Sequence, residues 1–217
     1  EEKNRIYSMA YVVDDYLHNS RDEPDEYNFD DAWHLVIDAD HSGGELMVSY
    51  FNKDDPQNYA TAQVYQVHVP PLDGYWTFMC LSGTNWWLTD GKQLPFPEYL
   101  EIGWARTGAT EAPGTYAYEL KATPWRLLDQ AGPEASTAVD LEAGMNIHIG
   151  FMFKDYDLDW ISPGGYQGSY DFPPTDHDLW QNAGLLADFK LLAADEVLGI
   201  ISGEVTQQRD GSPWAGV

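Results

Sequence analysis

Asn146-Ile147-His148-Ile149-Gly150-Phe151-Met152-Phe153 decides how this chain folds. Ile147, Ile149, Phe151 and Phe153 recur at every second position. Successive side chains of a β-strand point to opposite faces, so this period of two places four bulky apolar groups on one face. Tyr116-Ala117-Tyr118-Glu119-Leu120-Lys121 repeats the pattern through Tyr116, Tyr118 and Leu120. The same alternation runs through residues 6–13, 32–37, 46–51, 62–69, 75–81, 99–105 and 185–192. Turn formers separate the runs: Ser42-Gly43-Gly44, Pro70-Pro71, Asp90-Gly91, Ala112-Pro113-Gly114, Pro163-Gly164-Gly165 and Pro173-Pro174. Many short strands with such punctuation predict an all-β protein, an antiparallel β-sandwich of jelly-roll type with little helix. Helical turns are expected only at residues 125–128 and 193–197.

The whole chain of 217 residues is long enough to bury a substantial core. The pattern predicts a single β-sandwich domain over residues 1–202 and an extended C-terminal tail or arm over 203–217. Lys and Arg number 11 against 36 Asp and Glu, a formal charge of −25. Phosphate backbones and anionic lipid surfaces both attract clustered Lys and Arg, so neither nucleic acid nor an anionic membrane is an expected partner. Aromatic residues make up 14 %, which separates the chain from disordered acidic polymers. One cysteine, Cys80, rules out an internal disulfide framework and a cysteine-built zinc site. It lies in the apolar run Phe78-Met79-Cys80-Leu81, where a thiol is expected to be buried and inert. The acid surplus and the aromatics point to an extracellular or periplasmic setting, with a signal peptide already removed.

Three groups of residues carry chemistry. The first is Asp38-Ala39-Asp40-His41-Ser42-Gly43-Gly44-Glu45. Alternate oxygen-bearing side chains before glycine suit Ca²⁺, which takes six to eight hard oxygen ligands. Asp38, Asp40 and Ser42 are therefore candidate ligands. Asp14, Asp15 and Asp31 at neighbouring strand ends, with Asp30, could complete a shell. A plain acidic hairpin turn is the competing reading. The second group is Asp155-Tyr156-Asp157-Leu158-Asp159. Continued alternation would bring Asp155, Asp157 and Asp159 to one side, where a counter-ion would relieve their repulsion. The competing reading is a solvated turn.

Asn85-Trp86-Trp87 is the third, beside the Gly83 turn. One Trp of an adjacent pair on a strand faces outward. An exposed indole is a flat apolar platform for the CH face of a sugar ring, and Asn85 or Asp90 could bond its hydroxyls. Trp104 and Trp180 are further candidates, although most Trp in a sandwich belong to its core. No nucleophile elbow, His-Glu-x-x-His helix, Walker loop or dinucleotide fingerprint occurs. With so many carboxylates, a glycosidase or lyase pair remains open, with Glu98, Glu101 and Glu119 the first to test.

Five local patterns follow in order: residues 5–15 ending in Asp14-Asp15, the acid-framed strand at 30–40, Gly114 to Lys121 leading into Trp125-Arg126-Leu127-Leu128, residues 143–151 running into Asp155-Tyr156-Asp157, and Trp180 ahead of residues 184–191. Over about residues 4 to 192 this order resembles carbohydrate-binding module family 9 and its DOMON-like relatives. The resemblance implies a β-sandwich that binds a glycan or polysaccharide without catalysis, or haem in some relatives. It also implies a segment ahead of Arg5, or a different architecture at that end. More remotely it is similar to the haem b subunit of ethylbenzene-dehydrogenase-like enzymes, which implies haem held by Met with His or Lys. The reading that follows is a non-catalytic, extracytoplasmic carbohydrate-binding module stabilised by Ca²⁺. The alternatives are a structural subunit that self-associates through its tail or by strand exchange, and a haem b electron-transfer subunit.

Overall fold

The computed structural model describes residues 4–18, 31–44, 62–68, 78–82, 85–89, 98–109, 111–127, 132–157, 166–174, 179 and 182–193, with backbone only at 68, 78–82, 85–89 and 166–167. Twelve strands are found among them: β1 Ile6–Asp14, β2 Ala32–Asp38, β3 Gln63–His68, β4 Phe78–Ser82, β5 Asn85–Thr89, β6 Leu100–Thr107, β7 Gly114–Ala122, β8 Trp125–Leu127, β9 Thr137–Ala138, β10 Asn146–Tyr156, β11 Tyr166–Phe172 and β12 Ala187–Lys190. They form two principal antiparallel sheets. The smaller has the order β1-β7-β6, and the larger β11-β10-β2-β3-β4-β5, with β12 also on β10. β8 and β9 form a separate pair. The architecture is the expected all-β sandwich. The tail at 203–217 and the run at 46–51 lie outside the described residues.

The alternation in β10 and β7 builds the interior. Ile147 and Ile149 from β10, Trp33, Leu35 and Ile37 from β2, and Tyr65 and Val67 from β3 meet Tyr116, Tyr118 and Leu120 from β7 in one buried cluster. Trp33 sits at its centre. Its ring is stacked parallel to Phe153 at 6.0 Å and lies 5.9 Å from Tyr118 of the opposite sheet. The other face of the large sheet is also covered. Val36, Val64 and Met152 pack there with Leu179, Ala183 and Leu186. That is why β2 is buried at every position, with no polar-out alternation.

One expectation is corrected. Residues 125–127 form the strand β8, not a helical turn. Pro124 supplies no amide hydrogen for a helix, and its carbonyl accepts from Val139 N at 2.9 Å, next to the Trp125–Ala138 pair. Strand pairing thus overrides a weak local preference. In β1 the larger side chains face away from the interior. Tyr7, Met9, Tyr11 and Val13 are exposed while Ile6 and Ala10 are buried.

Gly114 starts β7 opposite Asp14. A methyl group there would press into the Thr107 carbonyl oxygen and Leu17. Backbone cannot yield as a flexible side chain can. Gly114→Ala is expected to destabilise by about 1–3 kcal/mol in urea unfolding, the usual cost of overpacking. A neutral result would show that β6 and β7 are not in this register.

Candidate functional site

An acidic centre forms where the N-terminal end of β2 meets the ends of β1 and β10. Asp14 terminates β1, Asp31 precedes β2, and Asp155 lies near the end of β10. One carboxylate oxygen from each of these three lies within 4.8 Å of the others. Asp14, Asp15 and Asp157 form a second such set, so five carboxylates share one locus through Asp14. A register shift between Asp155 and Tyr156 bends the strand here. Bulges of this kind re-aim side chains at strand ends.

Asp31 is fully buried and anchors the centre. Its two oxygens accept from His18 N and from Tyr156 N, each at 2.7 Å. Asp14 accepts from Tyr16 N at 2.9 Å. Burial, and then the charge of Asp14, push the Asp31 carboxyl well above its ordinary range. Burial also raises Asp14. Burial lowers the Arg106 guanidinium from its ordinary value, with the charges of Tyr118 and Asp31 working against that shift. Thus Arg106 on β6 couples electrostatically to Asp31, the buried member of the cluster. An all-oxygen, multiply charged donor set suits a hard divalent cation, and fits Ca²⁺ in particular.

The Asp38 turn is built differently. Asp38 is wholly buried, and its Oδ1 accepts from Ser42 N at 3.2 Å and Ser42 Oγ at 3.4 Å. Its Oδ2 accepts from Gly43 N at 2.8 Å and lies 2.8 Å from His148 Nδ1. Asp40 accepts from Ser42 N at 3.3 Å and pairs with Arg126 at 3.3 Å. Asp38, Asp40 and Ser42 therefore form a hydrogen-bonded turn after β2. It lies at the opposite end of the β2–β10 pair from Asp31 and Asp155, as the register from Ala32–Lys154 to Asp38–His148 requires. The structure does not bring this turn into the acidic centre, while it does bring in Asp14, Asp15, Asp31, Asp155 and Asp157. Asp159 lies outside the described residues.

The aromatic candidates are distributed over both sheets. Asn85, Trp86 and Trp87 occupy consecutive positions of β5, the outermost strand of the large sheet, paired with Ser82, Leu81 and Cys80. Their side chains lie outside the described residues, as do Asp90 and Trp180. Trp104 lies on β6 opposite Tyr118 and is 37 % exposed. Sequence reasoning missed Tyr7 and Tyr11. They stand two alternations apart on the outer face of β1, 63 % and 66 % exposed, with Met9 between them. The signal was present in residues 6–13, but alternation names two faces without saying which is inner.

A two-sheet sandwich with acidic strand ends and exposed aromatic side chains defines a class, the β-sandwich modules of extended surface and no evident catalytic cleft motif. No family model matches the sequence, and no curated protein matches it. Among solved structures, the chain is similar to a carbohydrate-binding module family 9 protein from Caldicellulosiruptor kristjanssonii in complex with glucose. The TM-score is 0.52 at 14 % identity, over 91 % of this chain and 76 % of that one. The same module in complex with cellotriose gives 0.50 at 14 % identity, over 92 % and 76 %. The chain has the family 9 carbohydrate-binding fold.

Proposed function

We propose that this protein is a non-catalytic carbohydrate-binding module, stabilised by Ca²⁺ and working in an extracellular or periplasmic setting. The observation that carries the binding reading is its fold, similar over nine-tenths of its length to modules solved with glucose and cellotriose. Fold alone does not specify function. The exposed aromatics Tyr7, Tyr11 and Trp104 support the reading, since a planar apolar side chain matches the CH face of a sugar ring. The proposed ligand residues are Trp86, Trp87, Asn85, Asp90, Trp104 and Trp180. Tyr7 and Tyr11 form a second aromatic surface on β1. The proposed cation ligands are Asp14, Asp15, Asp31, Asp155 and Asp157.

Calorimetric titration with glucose, cellotriose and longer β-glucans tests the binding reading. Heat on cellotriose addition, with binding weakened about tenfold or more in Trp86→Ala or Trp87→Ala, is the expected result. Tenfold corresponds to about 1.4 kcal/mol, within reach of one lost stacking surface. If Tyr11→Ala abolishes binding and both Trp variants are unaffected, the ligand surface is that of β1. A protein silent towards every glucan and every glycan on a broad array refutes the reading.

A further inference from the structure

Asp38, His148 and Asp188 form one row across three paired strands. His148 of β10 is opposite Asp38 of β2 on one side and opposite Asp188 of β12 on the other. The row puts His148 Nδ1 2.8 Å from Asp38 Oδ2 and His148 Nε2 2.8 Å from Asp188 Oδ1. A second imidazole reaches the same atom. His41 Nε2 lies 2.8 Å from Asp188 Oδ1, and the two imidazole centroids are 3.7 Å apart. His41 is brought there by its turn, in which it takes the left-handed conformation (φ 56°) and the Asp38 carboxylate ties down the amides of Ser42 and Gly43.

We infer that His41 Nε2, His148 Nε2 and Asp188 Oδ1 are the ligands of a divalent transition-metal site, with Zn²⁺ as its cation, and that Asp38 is the buried carboxylate that orients His148.

The donor chemistry sets the class of ion. Two imidazole nitrogens and one carboxylate suit Zn²⁺ and its first-row neighbours, whereas Ca²⁺ and Mg²⁺ prefer oxygen. Three protein ligands leave positions for water, and the exposure of His41 and Asp188 gives the ion a route in. A metal-ligating histidine usually donates its other ring N–H to a carboxylate, which fixes its tautomer and aims the remaining lone pair at the metal. Asp38 is placed for that role, wholly buried beneath His148. His148 has a carboxylate oxygen on each nitrogen. His148 Nε2, His41 Nε2 and Asp188 Oδ1 converge within reach of a single cation. Asp38 and His148 lie seven positions along their strands from Asp31 and Asp155, on the order of 20 Å at about 3.4 Å per residue, so the two sites are separate. The ion would join the turn after β2, strand β10 and strand β12. This inference does not depend on glycan binding.

The test is zinc titration of the full chain by calorimetry in excess Ca²⁺, with a competing chelator. The expected result is one tight equivalent. His41→Ala and Asp188→Asn alter exposed side chains and should keep the metal-free melting curve while lowering zinc affinity at least tenfold. Asp38→Asn should lower it about 10- to 100-fold, the usual cost of removing an orienting partner. Co²⁺ substitution should give the visible absorption of a low-symmetry nitrogen–oxygen site, lost in His41→Ala. No zinc binding in the micromolar range, or an affinity unchanged in His41→Ala and Asp188→Asn, overturns the inference and leaves the row as a hydrogen-bonded cluster.

Discussion

Chelation of Ca²⁺ at pH 7 should lower the melting temperature by roughly 5–10 °C. A ligand at about 100 times its Kd stabilises the folded state by about 2.7 kcal/mol, and each kcal/mol is worth about 2–4 °C in a domain of this size. The physical origin is the meeting of Asp14, Asp15, Asp31, Asp155 and Asp157 at one locus. Without a cation, burial and the charge of Asp14 hold Asp31 above its ordinary value, and burial raises Asp14. An acid with a raised folded pKa retains its proton in the folded state where the unfolded chain has already lost it. The unfolded state then binds fewer protons, so stability falls as pH rises through that window. The contribution of these groups is therefore fully present below the ordinary carboxylate range and is lost on the way to neutral pH. A cation reverses the sign, because it binds the ionised carboxylates. The difference between melts in Ca²⁺ and in chelator should widen from pH 4 to pH 7. Asp155→Asn should remove most of that difference. Identical melts in Ca²⁺ and in chelator across this range would reject the calcium reading.

The carboxylates of this centre were legible in the sequence because they sit at strand ends. Asp14-Asp15, Asp31 and Asp155 to Asp157 each close or open an alternating run, and strand ends in a sandwich gather at its rims. The Asp38 turn shows the limit of such reading. Asp38-Ala39-Asp40-His41-Ser42-Gly43 has the spacing of a calcium loop. In the structure, Asp38 lies beneath His148, and their sequence separation of 110 gives no local signal. His41, His148 and Asp188 come together only through the register of β10 with two strands distant in sequence. The face assignment of β1 was hidden for a similar reason. Alternation divides residues 6–13 into two faces without saying which is inner, and the structure buries Ile6 and Ala10 while Tyr7, Met9, Tyr11 and Val13 stay exposed.

Trp33→Ala should cost about 3–5 kcal/mol, the usual range for emptying a buried large aromatic site. In thermal terms that is roughly 6–20 °C. Trp33 is 1 % exposed, and it joins both sheets. Its ring stacks on Phe153, its cross-strand partner, and on Phe151 at 6.2 Å, while Tyr118 approaches from β7 at 5.9 Å. Alanine would leave a cavity lined by three aromatic rings. Phe151 and Phe153 belong to β10 and Tyr118 to β7 of the opposite sheet, so the cavity cannot close without moving one sheet towards the other, and most of its cost should persist. Trp33→Phe separates packing from hydrogen bonding. Trp33 Nε1 is buried and has no hydrogen-bond partner among the described residues. Phenylalanine keeps most of the ring contact and removes an N–H that gains nothing from burial, so its cost should be well below that of alanine. Equilibrium urea unfolding of both variants measures the pair. A cost under about 1 kcal/mol for alanine would mean that the sheets do not pack through Trp33. If phenylalanine costs as much as alanine, the indole N–H makes a bond that holds the two sheets together, and ring packing is the lesser contribution.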